Sequence, residues 1–279
     1  IDDYFPAIQQ DEDNVTTLFS LLDHDTPLWG MLIEKAFAKR YGNYEHITYG
    51  QAGEAIRALT GAPYIQYEHK DMSLDTLWYL ISQQDPVDDF LIAGTETLDE
   101  DDVPKDIPGV AANHSYTILG THVLSNNNKR LIKIRNPWGK PGFHGTMKGA
   151  AWNEETREET GYKDGKDGIF FIDLETYKKA FTETSISFNT ANWASAKFLK
   201  TNDETQSVNP GKWQGVCGPK CTRHELTLKS DIKQTIYLTA QTWGVKSIPD
   251  SCEKKDNGLY HAIVVSKSDD VNVFSFGDK

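Results

Sequence analysis

The chain has 279 residues, with 29 Lys and Arg against 41 Asp and Glu, a formal net charge of −12 at pH 7, and three cysteines. That balance argues against nucleic acid or an anionic membrane surface as partner, since both want a basic stripe. No apolar run approaches the roughly 20 residues of a membrane span, and three cysteines make no disulfide scaffold, so a reducing, cytoplasmic setting is expected.

The length allows two domains. The first residue is Ile1 rather than Met, so we expect a fragment or a processed part of something longer. Residues 1–85 read as helical after a short extended entry. Thr26 is placed to cap a helix beginning at Pro27, since proline at the first helical position lacks only a donor that would be orphaned anyway. Gly42 closes that helix. A second runs over 51–59 and stops at Gly61-Ala62-Pro63. A third, capped by Ser73, carries Leu74, Leu77, Trp78 and Ile81 on one face, which is most simply a core face.

The texture then changes. Residues 90–93 read as a buried strand, and 94–112, with Pro104 and Pro108, as a long polar loop. A hairpin follows, then a strand over 168–172, a short helix over 174–181 and a strand over 185–188. Helices first and antiparallel strands afterwards predict an α+β lobe over 1–189. From 190 to 279 the segments 225–228, 235–240, 260–266 and 271–276 alternate apolar and polar residues between Gly, Asn, Asp and Pro clusters. That pattern predicts an all-β sandwich, with an incomplete last strand expected because the chain stops soon after Phe276.

The hairpin carries the chemistry. Its first arm begins at His114 and its second ends at Asn136, 22 residues later, with a turn-prone Ser125-Asn126-Asn127-Asn128 between them. Folding about that turn brings an imidazole beside a carboxamide at the open end. A carboxamide holding one ring nitrogen as a donor leaves the other free to serve a nucleophile, which is the second half of a Cys-His-Asn apparatus. Trp138 is placed to cover that bond and keep water from it. No cysteine precedes His114. Cys217, Cys221 and Cys252 come later, in a β-rich region, at spacings that suit free thiols or one bridge better than zinc.

These residues resemble the calpain family of cysteine proteases. The likeness rests on Asn113-His114-Ser115-Tyr116, on Ile134-Arg135-Asn136-Pro137-Trp138-Gly139 and on Asp167-Gly168-Ile169-Phe170-Phe171. It extends to Leu32-Ile33-Glu34-Lys35-Ala36-Phe37 and to the opening Ile1-Asp2-Asp3-Tyr4-Phe5-Pro6. It runs over residues 1–189 as the second half of the catalytic core; the remainder is similar, more weakly, to the β-sandwich that follows it. The resemblance implies a papain-like, calpain-type lobe, with His114 as general base and acid, Asn136 as its orienter and Trp138 as shield. It also implies an upstream half-core carrying the cysteine, protein substrates, and a loop over 94–112 rimming the cleft. Taken alone, the chain is then expected to be inert. The alternative is a catalytically inactive calpain-like structural or protein-binding module.

Calcium is typical of the family, but its ligands in this half look mostly lost. Asp167 remains as the remnant of the site, Ile169 stands where an acid is expected, and the positions after Trp138 read as Gly142 and Gly149. One carboxylate does not make the six to eight oxygens calcium takes. No metal site is therefore expected here.

Overall fold

The fold is described from a computed structural model, which covers residues 2, 4–11, 15–19, 28–95, 109–139, 152–163, 165, 167–191, 261–267 and 270–276. Two short strands, β1 (Ala7–Gln9) and β2 (Val15–Thr17), pair antiparallel ahead of helix α1 (Trp29–Tyr41). Helix α2 (Ala52–Thr60), strand β3 (Tyr64–Glu68), helix α3 (Leu74–Ser82) and strand β4 (Phe90–Gly94) follow. Then come β5 (Ser115–Val123), β6 (Arg130–Arg135), α4 (Glu154–Thr160), β7 (Ile169–Asp173), α5 (Leu174–Ala180) and β8 (Glu183–Ser187). Strands β3 to β8 form one antiparallel sheet in the order β3-β8-β4-β5-β6-β7. The α+β reading of this lobe holds.

Helices α3 and α5 lie on one face of the sheet. Leu77 and Ile81 of α3, with Leu174 and Tyr177 of α5, pack against Leu91, Tyr116, Ile118, Ile132, Ile134, Phe170 and Ile186. A smaller cluster of Leu124, Leu131, Trp152 and Phe171 covers part of the other face. That explains why Leu131 and Ile132, neighbours on β6, are both fully buried: each serves a different core. Burial of such side chains supplies roughly 1.5–3 kcal/mol apiece before conformational entropy is set against it.

The predicted boundaries around the helices hold where the residues are described. Ser73 caps α3, its side chain accepting from Thr76 N. Gly61 ends α2 in the left-handed conformation, its N–H reaching Arg57 O. Thr26 and Pro27 lie outside the described residues.

Three features depart from the sequence reading. Residues 1–85 are not all helical after the entry, because β3 crosses them and pairs with β8. Its side chains meet protein on both faces, Tyr64 against α2 at Gly53 and Tyr67 against the main core, so no clean alternation marks it. The β1–β2 pair gives the entry two strands, three residues each and largely exposed. Helix α4 is almost wholly polar. It is held by its Asn153 cap and by Glu159, which accepts from Ser125 N at 2.8 Å and lies 3.1 Å from His122 Nε2.

Beyond residue 191 the described residues hold one antiparallel hairpin, β9 (His261–Lys267) with β10 (Asp270–Phe276). Two predicted strands, 260–266 and 271–276, agree with it to within a residue. The segments 225–228 and 235–240, and with them any second sheet of a sandwich, lie outside the described residues.

Candidate active site

His114 and Asn136 flank the ends of β5 and β6 at the open end of their hairpin. The chain reverses over residues 124–129, where Asn128 N bonds Leu124 O, Leu124 N bonds Lys129 O and Asn128 takes a positive φ of 56°. The turn predicted at Ser125 and Asn126 is there. The ladder is not regular, however. Near the turn Gly120 pairs with Lys133, whereas toward the open end Ile118 pairs with Ile134, so β5 carries one residue more. Gly120, at φ 151°, accommodates this bulge.

That extra residue sets the geometry of the site. Side chains alternate across a strand, so a shift of one residue exchanges its faces. Beyond the bulge, His114 and Tyr116 share the face of Ile134 and Asn136. Continued without it, the near-turn register would turn His114 to the opposite face. The observed register leaves His114 diagonal to Asn136, within reach across two strands.

The imidazole Nε2 lies 2.9 Å from Asn136 Oδ1. Asn136 is fully buried, and its Oδ1 also accepts the backbone N–H of Trp138 at 3.0 Å. The second bond settles the chemistry of the first. A backbone N–H only donates, so the atom facing it is the amide oxygen, and His114 Nε2 must carry its proton to donate there. In the neutral ring the acceptor nitrogen is then Nδ1, which has no hydrogen bond among the described residues. Burial lowers the His114 pKa below its ordinary value, and the bond to Asn136 works the other way.

The indole of Trp138 lies against the imidazole, with ring centroids 4.0 Å apart and planes 32° from parallel, and remains 50% exposed. From the core side Tyr116 presents an edge-on contact at 4.8 Å. Its buried hydroxyl accepts Ala111 N–H at 2.7 Å, tying down the approach to His114. Asn136 is anchored by its own backbone: its N–H bonds Gly168 O at 2.9 Å, and its carbonyl accepts Gly139 N–H. Gly168 has φ 76°, and a Cβ there would overlap Asn136 O.

The sequence reading did not single out Tyr116, Gly168 or Thr95, whose hydroxyl accepts His114 N–H at 2.9 Å, as parts of the site. Tyr116 follows the His by two residues on the same face, a spacing that points to it. Gly168 has the signal of a glycine just before a strand; Thr95 is visible only through the register of β4 against β5.

Around Asp167 the donors are turned to the protein's own use. Its Oδ1 accepts Ile169 N–H at 3.1 Å, and its main-chain oxygen accepts Arg135 Nε at 3.2 Å. A guanidinium beside the same turn is the wrong neighbour for a cation. Among the described residues no group of three or more His, Cys, Asp or Glu side chains is arranged to hold a metal. Gly142, Gly149 and the three cysteines lie outside the described residues.

The described lobe falls within the span, residues 1–188, that matches the profile of a family of cysteine proteases, described as "Calpain family cysteine protease". It is a cysteine-protease domain, and the chain belongs to the calpain family. Among individual proteins it is similar to Calpain-9 of Rattus norvegicus, 28% identical over 194 residues, covering 67% of this chain and 27% of the relative. It is likewise similar to Calpain clp-4 of Caenorhabditis elegans, 26% identical over 273 residues, covering 86% of this chain and 36% of that protein. Calpain-14 of Homo sapiens is 26% identical over 192 residues, covering 67% and 27% respectively. The chain thus spans about a quarter to a third of the length of these relatives. Among the described residues no helix is long and apolar enough to cross a membrane.

Proposed function

We propose that this chain supplies the histidine and asparagine of a calpain-type cysteine endopeptidase whose nucleophilic cysteine lies upstream of Ile1. The observation that carries the reading is the assigned tautomer. Asn136 Oδ1 holds Nε2–H, so Nδ1 is the nitrogen left to take a proton. An acceptor nitrogen on a half-buried ring, backed by a buried carboxamide, is what a thiol needs for activation.

In this reading His114 Nδ1 removes the proton of the incoming thiol. The thiolate attacks the peptide carbonyl carbon, forming the C–S bond. As the C–N bond breaks, the imidazolium returns its proton to the leaving amine. Nδ1 then takes a proton from water, whose oxygen displaces the sulfur and frees the acid. Asn136 holds the ring through each step, and Trp138 narrows the approach of water to the pair. Extended segments of protein are the substrate class, and the cytoplasm is the location that the cysteine usage fits. Calcium has no part at Asp167 in this scheme.

The test is cleavage of casein by the full-length protein, beside the variant His114→Ala. We expect the variant to lose activity by about 10²–10⁴-fold, the usual contribution of a positioned general base. Equal cleavage by both proteins would remove the assignment. Absence of cleavage by the parent, with no cysteine upstream of Ile1, would leave the inactive binding module as the better account.

A further inference from the structure

We infer that Thr95 is a positioning residue for His114, its hydroxyl standing in for a backbone carbonyl that the sheet would otherwise supply. The inference rests on the proposed role of His114 as base. The last registered pair between β4 and β5 is Gly94 with Ser115, and continuing the ladder sets Thr95 opposite His114. One bond of that next pair is present, Thr95 N–H to His114 O at 3.1 Å. Its reciprocal would run from His114 N–H to the Thr95 carbonyl. Instead His114 N–H reaches Thr95 Oγ1 at 2.9 Å, while the same hydroxyl lies 3.1 Å from His114 O and donates to it.

The side chain therefore grips both polar groups of the His114 backbone. That matters because, among the described residues, Gly94 with Ser115 is the last registered pair of this ladder. The preceding residue, Asn113, has φ 50°, so the chain leaves the extended conformation one residue before the His. A histidine at a strand's frayed end would swing with its backbone, and the Nε2 to Asn136 distance of 2.9 Å would not persist. Threonine suits the place: it is β-branched, stiff at χ1, and its hydroxyl both donates and accepts. Valine keeps the shape without the bonds, and serine keeps the bonds without the methyl.

The experiment compares Thr95→Val, Thr95→Ser and His114→Ala in the full-length protein. Imidazole NMR follows the His114 Nε2 proton, and casein cleavage follows kcat and KM. We expect the parent to show a slowly exchanging Nε2 proton, and Thr95→Val to lose it and to drop kcat at least ~10-fold with KM little changed, as misplacement of a reacting group does. Thr95→Ser should keep both near the parent's values. A Nε2 proton retained in Thr95→Val, or lost in Thr95→Ser, overturns the inference, and the serine arm decides even if the valine variant folds poorly. Should His114→Ala cleave as well as the parent, the catalytic reading fails separately, since the proton signal reports positioning without reference to activity.

Discussion

His114 and Asn136 share a face of the sheet because β5 holds one residue more than β6 between Ile118 and Gly120. Gly120 is where the strand tolerates that insertion, at φ 151°, a conformation that L side chains rarely adopt. Its place for a Cβ is open except for Pro86 at 3.9 Å, so the obstacle to substitution is conformational rather than steric. Gly120→Val should destabilise the lobe by about 1–3 kcal/mol, measured by urea denaturation. It should also weaken the His114–Asn136 bond some distance away, seen as faster exchange of the Nε2 proton. Unchanged stability would mean that the bulge relaxes freely and does not set the register.

Asn136 offers one oxygen to two donors, His114 Nε2–H and Trp138 N–H. Replacing the amide with a carboxylate, Asn136→Asp, keeps both acceptor contacts and adds a negative charge, which favours the imidazolium. Asn136→Ala removes the one contribution that raises the His114 pKa and leaves burial unopposed. The two variants should therefore move the His114 titration in opposite directions, up for Asp and down for Ala, in an NMR pH series. Shifts of the same sign would show that the bond to Asn136 does not govern this ring.

The legible part of the molecule was its local chemistry. Ser73 ahead of Leu74, Leu77 and Ile81 announced both a cap and a buried face, and Gly61-Ala62-Pro63 announced a stop. The pairing of His114 with Asn136 followed from two strand-like arms around a run of asparagines. What escaped notice depends on distant partners. Strand β3 is defined by β8, more than a hundred residues later, and α4 by a glutamate that reaches back to His122 and Ser125. The bulge was invisible as well, because Leu119-Gly120 looks like ordinary strand sequence until the partner strand fixes the count.

Gly168 tests how closely the β7 entry supports the asparagine. Its φ of 76° already disfavours any side chain, and a Cβ would overlap Asn136 O and lie 3.2 Å from Gly139 Cα. Neither neighbour is a flexible side-chain end, so backbone must move. Gly168→Ala should cost at least ~2 kcal/mol from the left-handed conformation and the displaced contact together. In the full-length protein it should lower kcat more than stability alone explains at a temperature where the variant is folded. Activity that merely tracks the folded fraction would reduce Gly168 to a structural role.

His69 gives the lobe a pH dependence of predictable sign. The ring is buried, with Nδ1 2.7 Å from Phe181 O and Nε2 2.8 Å from Thr184 Oγ1, which in turn bonds the Tyr177 hydroxyl at 2.7 Å. The carbonyl accepts, so Nδ1 carries the proton and Nε2 accepts from the threonine. Protonating Nε2 would break that order. Burial lowers the pKa first, the bond to Phe181 opposes it, and the Lys178 charge adds to the lowering. Below the ordinary value of 6.5 the unfolded chain binds a proton that the folded one resists. Stability is thus complete above that pH and falls as the solution is acidified below it. His69→Gln should lose about 1–3 kcal/mol at neutral pH yet show a shallower acid-side decline in melting curves. His114 is shifted in the same direction and keeps part of the slope in both proteins. A slope unchanged by the substitution would place the acid sensitivity elsewhere.

The last expectation concerns calcium at Asp167. The described donors there are one carboxylate, whose Oδ1 already accepts Ile169 N–H, and a main-chain oxygen taken by the Arg135 guanidinium. Calcium draws on six to eight oxygens and gains most from carboxylates that have no competing cation beside them. Displacing Arg135 and breaking the turn bond would cost more than a single carboxylate returns. Calorimetric titration of the protein with calcium should therefore show no micromolar binding that depends on this residue, and Asp167→Ala should leave the isotherm unchanged. A micromolar site abolished by that substitution would mean that further oxygens join Asp167 at the turn and that Arg135 yields its place.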